Sequence, residues 1–154
     1  MNKKALIAGA AAAALLAAAV VVLRKSDRRR IESLIARLER RLEHRDAVGF
    51  CLYLTDDYHD SAGQSRSGLK DRLAWGLPLL GSLAISVEDL AIEIQDEEAM
   101  ADFLARAVAT ARDHGRQPPW RWQSRVRLRL RKTDDGWRVC SAEYRLPPIV
   151  ERNW

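Results

Sequence analysis

Nineteen consecutive residues, Ala5 to Leu23, carry no charge and no strongly polar side chain. As a helix they span roughly 28 Å, close to the roughly 30 Å hydrocarbon core of a bilayer. Such a run has few homes: a membrane, a signal peptide that is later removed, or the interior of a larger fold. About half of it is alanine. The drive for insertion therefore rests on Leu6, Ile7, Leu15, Leu16, Val20, Val21, Val22 and Leu23, together roughly 2–5 kcal/mol. Met1-Asn2-Lys3-Lys4 and Ala17-Ala18-Ala19 have the outline of a cleaved secretory signal. The run nevertheless continues to Leu23 and meets Arg24, Lys25, Arg28, Arg29 and Arg30, the flank expected of a retained helix. Residues 1–25 are therefore read as a membrane anchor or signal segment. The favoured reading is a single pass contacting the bilayer through residues 5–23. The basic flank argues for the soluble part on the cytoplasmic side and use as an export anchor argues for the other, so the face stays open.

The rest of the chain is long enough for one domain, expected over residues 26–147, with a tail at 148–154. Charge is unevenly distributed along it. Residues 24–41 hold eight basic and three acidic side chains, residues 42–115 six and fourteen, and residues 116–154 ten and four. The net charge of +5 is thus a sum of opposed regions rather than a uniform nucleic-acid footprint. Two cysteines, Cys51 and Cys140, are too few for a disulfide scaffold or a thiolate zinc site, and they read as buried free thiols. A bridge between them requires export and Cα atoms within about 7 Å.

Ser26 or Asp27 is expected to cap a helix carrying Ile31, Leu34, Ile35, Leu38 and Leu42 at spacings of three and four. Asp46 opens a second, short helix over Ala47–Leu54. The polar stretch Asp56–Ser67 reads as a loop, and Ser67 as the cap of a third helix with Leu69, Leu73, Trp75, Leu77 and Leu80, bent or ended near Pro78. Beyond Gly81 the period becomes two. Ile85 and Val87 alternate in one phase and Leu90, Ile92 and Ile94 in the other, so a bulge or bend is expected at Glu88-Asp89. The clearest strand places Trp120, Trp122, Ser124, Val126, Leu128 and Leu130 on one face. Asp134-Asp135-Gly136 then turns into a strand over Trp137–Leu146. Residues 97–114 support two readings. Propensity favours a helix capped by Asp96, while Ala99, Ala101, Phe103, Ala105, Ala107 and Ala109 alternate as a strand would.

The order of these elements resembles the nuclear transport factor 2-like superfamily, in its bacterial SnoaL-like branch. The likeness is carried by Leu54-Thr55-Asp56-Asp57-Tyr58-His59-Asp60, by the stretch from Val87 to Ile94, and by the closing stretch from Val126 to Tyr144. It covers roughly residues 28–146, with departures at Pro78 and at the insert Asp113–Pro119. The resemblance implies an α+β fold, a cone-shaped curved antiparallel sheet wrapped on N-terminal helices and here preceded by one hydrophobic helix. It also implies a strand over residues 98–112, which we adopt.

Chemistry is less legible. The chain has no phosphate-binding glycine loop, no His-Glu-x-x-His and no Cys-x-x-Cys, and Gly63-Gln64-Ser65-Arg66-Ser67 lacks the closing glycine of a nucleophile elbow. His44, His59 and His114 are scattered, so neither a metal nor another cofactor is expected. Enzymes of the resembled fold place an aspartate base near the cavity mouth, which makes Asp57, Tyr58, His59 and Asp60 the catalytic candidates, on a hydrophobic substrate. Water-facing carboxylates are the blander and favoured reading. Tyr53, Trp75, Phe103, Trp122 and Tyr144 are the candidates for a ligand cavity, although such residues more often fill a core. Arg121, Arg125, Arg127, Arg129 and Arg131 share one strand face as a basic surface. Cross-strand acids are their ordinary partners. Nucleic acid is disfavoured because Trp120 and Trp122 lie on the opposite face. The leading expectation is a tethered, non-catalytic module that binds a small apolar ligand or a protein partner, with a homodimer through the sheet as a further possibility. The alternative is a small isomerase- or cyclase-type enzyme.

Overall fold

In the computed structural model the described residues are 3–112 and 119–145, with side chains described from Ala14 onward. The tail at 148–154 and nearly all of the insert at 113–119 lie outside them. The first helix, α1, runs unbroken over Lys3–Glu43. The separate hydrophobic helix and the cap at Ser26 or Asp27 are therefore not observed. No proline or glycine interrupts the chain between Leu23 and Ile31, and the Asp27 carboxylate is used elsewhere. Among the described residues no helix is long and apolar enough to cross a membrane, and the side chains of the expected span up to residue 13 lie outside the description. The part of α1 that is described there, Ala14–Lys25, is exposed throughout.

The second half of α1 buries Ile31, Leu34, Ile35 and Leu38, one stripe of an amphipathic helix worth roughly 2 kcal/mol per side chain. Asp46 caps α2 (Ala47–Cys51) by accepting from the Gly49 N–H at 2.7 Å. The chain then forms β1 (Leu54–Asp60), in place of the expected loop. Asp56, Asp57 and His59 are exposed, while Leu54, Thr55, Tyr58 and Asp60 are buried. Ser65, not Ser67, caps α3 (Arg66–Gly76) by accepting from the Gly68 N–H, and Pro78 closes it in a 3-10 turn over Leu77–Leu79.

Four further strands complete the chain's described part: β2 (Leu80–Gln95), β3 (Glu98–Ala111), β4 (Trp120–Thr133) and β5 (Gly136–Glu143). They form one five-stranded sheet with β1, in the order β1-β5-β4-β3-β2. The sheet is antiparallel except that β1 runs parallel to β5. The register of β2 slips between Glu88 and Ala91, with Asp89 at φ 54°. Val87 faces the core before the slip, and Leu90, Ile92 and Ile94 face it afterwards. The bulge thus switches the inward phase and bends the long strand around the helices.

Residues 98–111 are a strand. Ala99, Ala101, Phe103, Ala105, Ala107 and Ala109 are buried on one face, and the segment pairs on both edges, with β2 and with β4. Two ladders of backbone hydrogen bonds and a half-buried surface outweigh alanine's helix propensity. Gly136, at φ 109°, makes the tight turn between β4 and β5. Cys51 is buried and Cys140 half-buried, and both thiols are free.

Candidate functional site

The concave face of the sheet and the helices line a partly open cavity of about 360 Å³. Ile35 and Leu38 of α1, Phe50 of α2 and Leu69 and Leu73 of α3 form one wall. Phe103, Ala105, Ala107, Trp122, Val126 and Leu128 form the other. The alanines explain why space remains. Larger side chains at 105, 107 and 142 would fill the volume that these three leave between sheet and helices. Trp120, about half exposed, stands among the lining residues.

Polar groups on this wall are few, and two of them are already bonded. Tyr144 donates its hydroxyl to Asp60 Oδ2 at 2.7 Å, and Trp122 Nε1–H donates to the Arg145 carbonyl at 3.0 Å. Burial pushes the Tyr58 hydroxyl well above its ordinary pKa, and the nearby Asp60 carboxylate adds to the effect. Tyr144 is raised the same way, first by burial and then by its hydrogen bond to Asp60. Both hydroxyls thus stay protonated across physiological pH. Glu39 is the charged residue of the lining, and its carboxyl is raised above the usual range by burial and then by the neighbouring Glu43.

Asp60 sits behind this wall rather than in it. Its Oδ1 accepts from the Ala62 and Gln64 N–H groups at 3.0 and 2.9 Å, its Oδ2 takes the Tyr144 hydroxyl, and the residue is 7% exposed. Of the other catalytic candidates, Tyr58 lines the cavity. Asp57 and His59 are exposed outside it. Asp57 pairs with Arg131 at 3.1 Å, and hydrogen bonds from Thr55 and then Arg131 hold its carboxyl below the usual range. Among the cavity candidates, the structure brings Phe103, Trp122 and Tyr144 together on the lining. Trp75 is 76% exposed on α3, and Tyr53 lies instead in grooves beside Arg37.

The five arginines of β4 are exposed on the outer face of the sheet. Arg127 meets Asp102 at 3.0 Å, Arg129 meets Glu98 at 3.7 Å and Arg131 meets Asp57, while Arg125 and Arg121 stand opposite Leu104 and Val108. Among the described residues no three histidine, cysteine or carboxylate side chains gather as metal ligands.

One polar cluster escaped the sequence reading. Buried Asp27 accepts from Lys132 Nζ at 2.9 Å and from Trp137 Nε1–H at 3.2 Å, joining α1 to the β4–β5 hairpin. Burial alone would raise its pKa. The Lys132 and Trp137 hydrogen bonds and the charges of Lys132 and Arg30 outweigh that and hold it below the usual range. Asp27 had an ordinary reading as a helix cap, and only the unbroken run of α1 shows that its carboxylate serves elsewhere.

No protein-family model matches the chain, and no curated protein matches it in sequence. Solved structures do match in shape. A nuclear transport factor 2-like superfamily protein from Salmonella enterica serovar Typhimurium superposes with a TM-score of 0.69 at 16% identity, covering 85% of this chain and 99% of its own. A nuclear transport factor 2-like protein with a cystatin-like fold from Novosphingobium aromaticivorans gives 0.67 at 20% identity, over 88% and 90%. A scytalone dehydratase candidate from the same organism gives 0.73 at 16%, over 79% and 85%. The chain has the nuclear transport factor 2-like, cystatin-like fold. At such identities the likeness establishes the fold alone.

Proposed function

We propose that this chain is a membrane-tethered, non-catalytic module whose cavity binds a small apolar molecule. The observation that carries the reading is the cavity's chemistry. About 360 Å³ is lined almost entirely by aliphatic and aromatic side chains, and the Tyr144 hydroxyl and Trp122 indole on it already have protein partners. That volume lies at the lower end of the roughly 300–1,000 Å³ typical of ligand pockets. A ligand there gains from leaving water and finds little to bond with, and half-buried Glu39 disfavours an anionic one.

A catalytic reading would run through Asp60, the one buried carboxylate behind Tyr58 and Tyr144. Three donors already occupy it, which favours binding over proton transfer. The tether is supported by Leu15, Leu16, Val20, Val21, Val22 and Leu23, all at least 47% exposed on α1 and continuous with the uncharged run before them.

The test uses residues 24–154, since every buried side chain among the described residues lies at Asp27 or beyond. Titration with the neutral fluorophore N-phenyl-1-naphthylamine should give saturable enhancement at micromolar concentration. Ala107→Leu, which fills the cavity, should weaken it at least tenfold, while Trp75→Ala on the exposed face of α3 should not. Equal binding by Ala107→Leu would exclude the cavity as the site.

A further inference from the structure

A groove of about 860 Å³ lies outside the cavity, between α1 and the hairpin joining β4 to β5. It begins at Val22, inside the uncharged run, and continues past Lys25, Arg29 and Arg30 to Arg37, with Lys132 and Gly136 on its far side. It therefore crosses the boundary at which the proposed tether would leave the hydrocarbon.

The charges along it are not equivalent. Lys132 and Arg30 both reach Asp27, at 2.9 and 3.7 Å. Asp134 and Asp135 also line the groove, and Arg138 holds Asp135 at 3.1 Å. Lys25 and Arg29 are exposed, and among the described residues no carboxylate lies within ion-pair distance of either. Along a helix axis Lys25 and Arg29 stand roughly 3 and 9 Å beyond Leu23, and Arg37 roughly 21 Å beyond it. A headgroup layer is roughly 5–7 Å deep on each side of the hydrocarbon. Lys25 falls in that layer, Arg29 stands about 2–4 Å beyond it with its side chain long enough to reach back, and Arg37 lies well outside it.

We propose that the lower part of this groove, between Lys25 and Arg29 of α1 and the Lys132–Gly136 turn, binds the phosphate headgroup of an anionic phospholipid. The lipid belongs to the leaflet in which the apolar half of α1 is embedded, so the site rests on the tether reading. Its chemistry is a phosphodiester held by an ammonium and a guanidinium, with the acyl chains lying beside Val22. The hairpin tip is then pressed against the membrane surface. Each basic side chain at this layer gives up to about a fivefold preference for anionic lipid, so the pair gives at most roughly 25-fold, reduced by the Asp134 carboxylate on the same turn.

The full chain is placed in nanodiscs of phosphatidylcholine alone and of phosphatidylcholine with phosphatidylglycerol, and amide hydrogen exchange is followed over residues 24–37 and 132–137. Exchange at the hairpin tip should slow severalfold in the discs with phosphatidylglycerol. Lys25→Gln with Arg29→Gln should abolish that difference, and Arg37→Gln should preserve it. Equal exchange in both lipids, with the chain embedded in both, overturns the headgroup site and leaves the tether intact. A chain that enters neither disc overturns both. Slowing by inorganic phosphate in phosphatidylcholine discs overturns the lipid assignment in favour of a free anion, and loss of the effect in Arg37→Gln overturns the placement at the boundary.

Discussion

Replacing Asp27 by alanine should uncouple α1 from the β4–β5 hairpin. The indole N–H of Trp137, a residue only 5% exposed, loses its acceptor, and an orphaned buried donor costs about 1–3 kcal/mol. Lys132 loses its carboxylate as well. Its side chain is 35% exposed, so water takes the ammonium back and the lost pair adds at most about 1 kcal/mol. The total is about 1–4 kcal/mol. Asp27→Asn keeps an acceptor for the indole but loses the charge, and should cost about 1 kcal/mol. Urea unfolding of the full chain in mild detergent, followed by tryptophan fluorescence, measures both. The pH dependence has a definite sign. The folded pKa of Asp27 lies below the unfolded one, so its contribution is complete above the unfolded value of about 3.9 and is lost as pH falls through the folded value. The gap between wild type and Asp27→Asn should therefore close on acidification below pH of about 4. An alanine variant costing less than about 0.5 kcal/mol, or a gap indifferent to pH, would show that the cluster does not join helix to hairpin.

Tyr144→Phe removes one of the three donors to Asp60 and should destabilise the domain by about 1.5 kcal/mol in urea unfolding, while leaving the shape of the cavity and naphthylamine affinity within about twofold. Glu39 is raised in the fold, so its stabilising share is full below the unfolded pKa and lost as pH rises through the folded one. Glu39→Gln should accordingly raise the melting temperature at neutral pH and leave it unchanged in acid, read by circular dichroism. Removal of residues 1–23 should abolish flotation with phosphatidylcholine vesicles and leave the domain's urea midpoint unchanged, because none of the described residues it removes is buried. Asp57→Asn, at an exposed pair with Arg131, should leave naphthylamine affinity unchanged.

Much of the fold was legible because its periodicities are strong. Val126, Leu128 and Leu130 alternate with arginines, and the phase change after Val87 marks the bulge at Asp89. The strand at 98–111 was not legible from propensity, since its inward residues are mostly alanine and its strand character comes from partners on both sides. The strand β1 was missed for a related reason. It lies at the sheet edge, pairs with β5 alone, and exposes Asp56, Asp57 and His59. The site was legible in part. Phe103, Trp122 and Tyr144 were identifiable as large aromatics on inward phases. Trp75 misled because it is two residues from Leu73, and residues two apart on a helix do not share a face. Ala105 and Ala107 create the cavity by being small, a property that only the packed neighbours reveal.

The most direct measurement is methyl NMR of residues 24–154 titrated with N-phenyl-1-naphthylamine. Shifts confined to Ile35, Leu38, Leu69, Leu73, Ile85, Val126 and Leu128, with Leu52 and Leu79 unmoved, are the result expected of an apolar molecule held between the helices and the concave sheet. Shifts centred on the exposed Leu52 and Leu79, or no saturable shifts at all, would contradict a binding cavity.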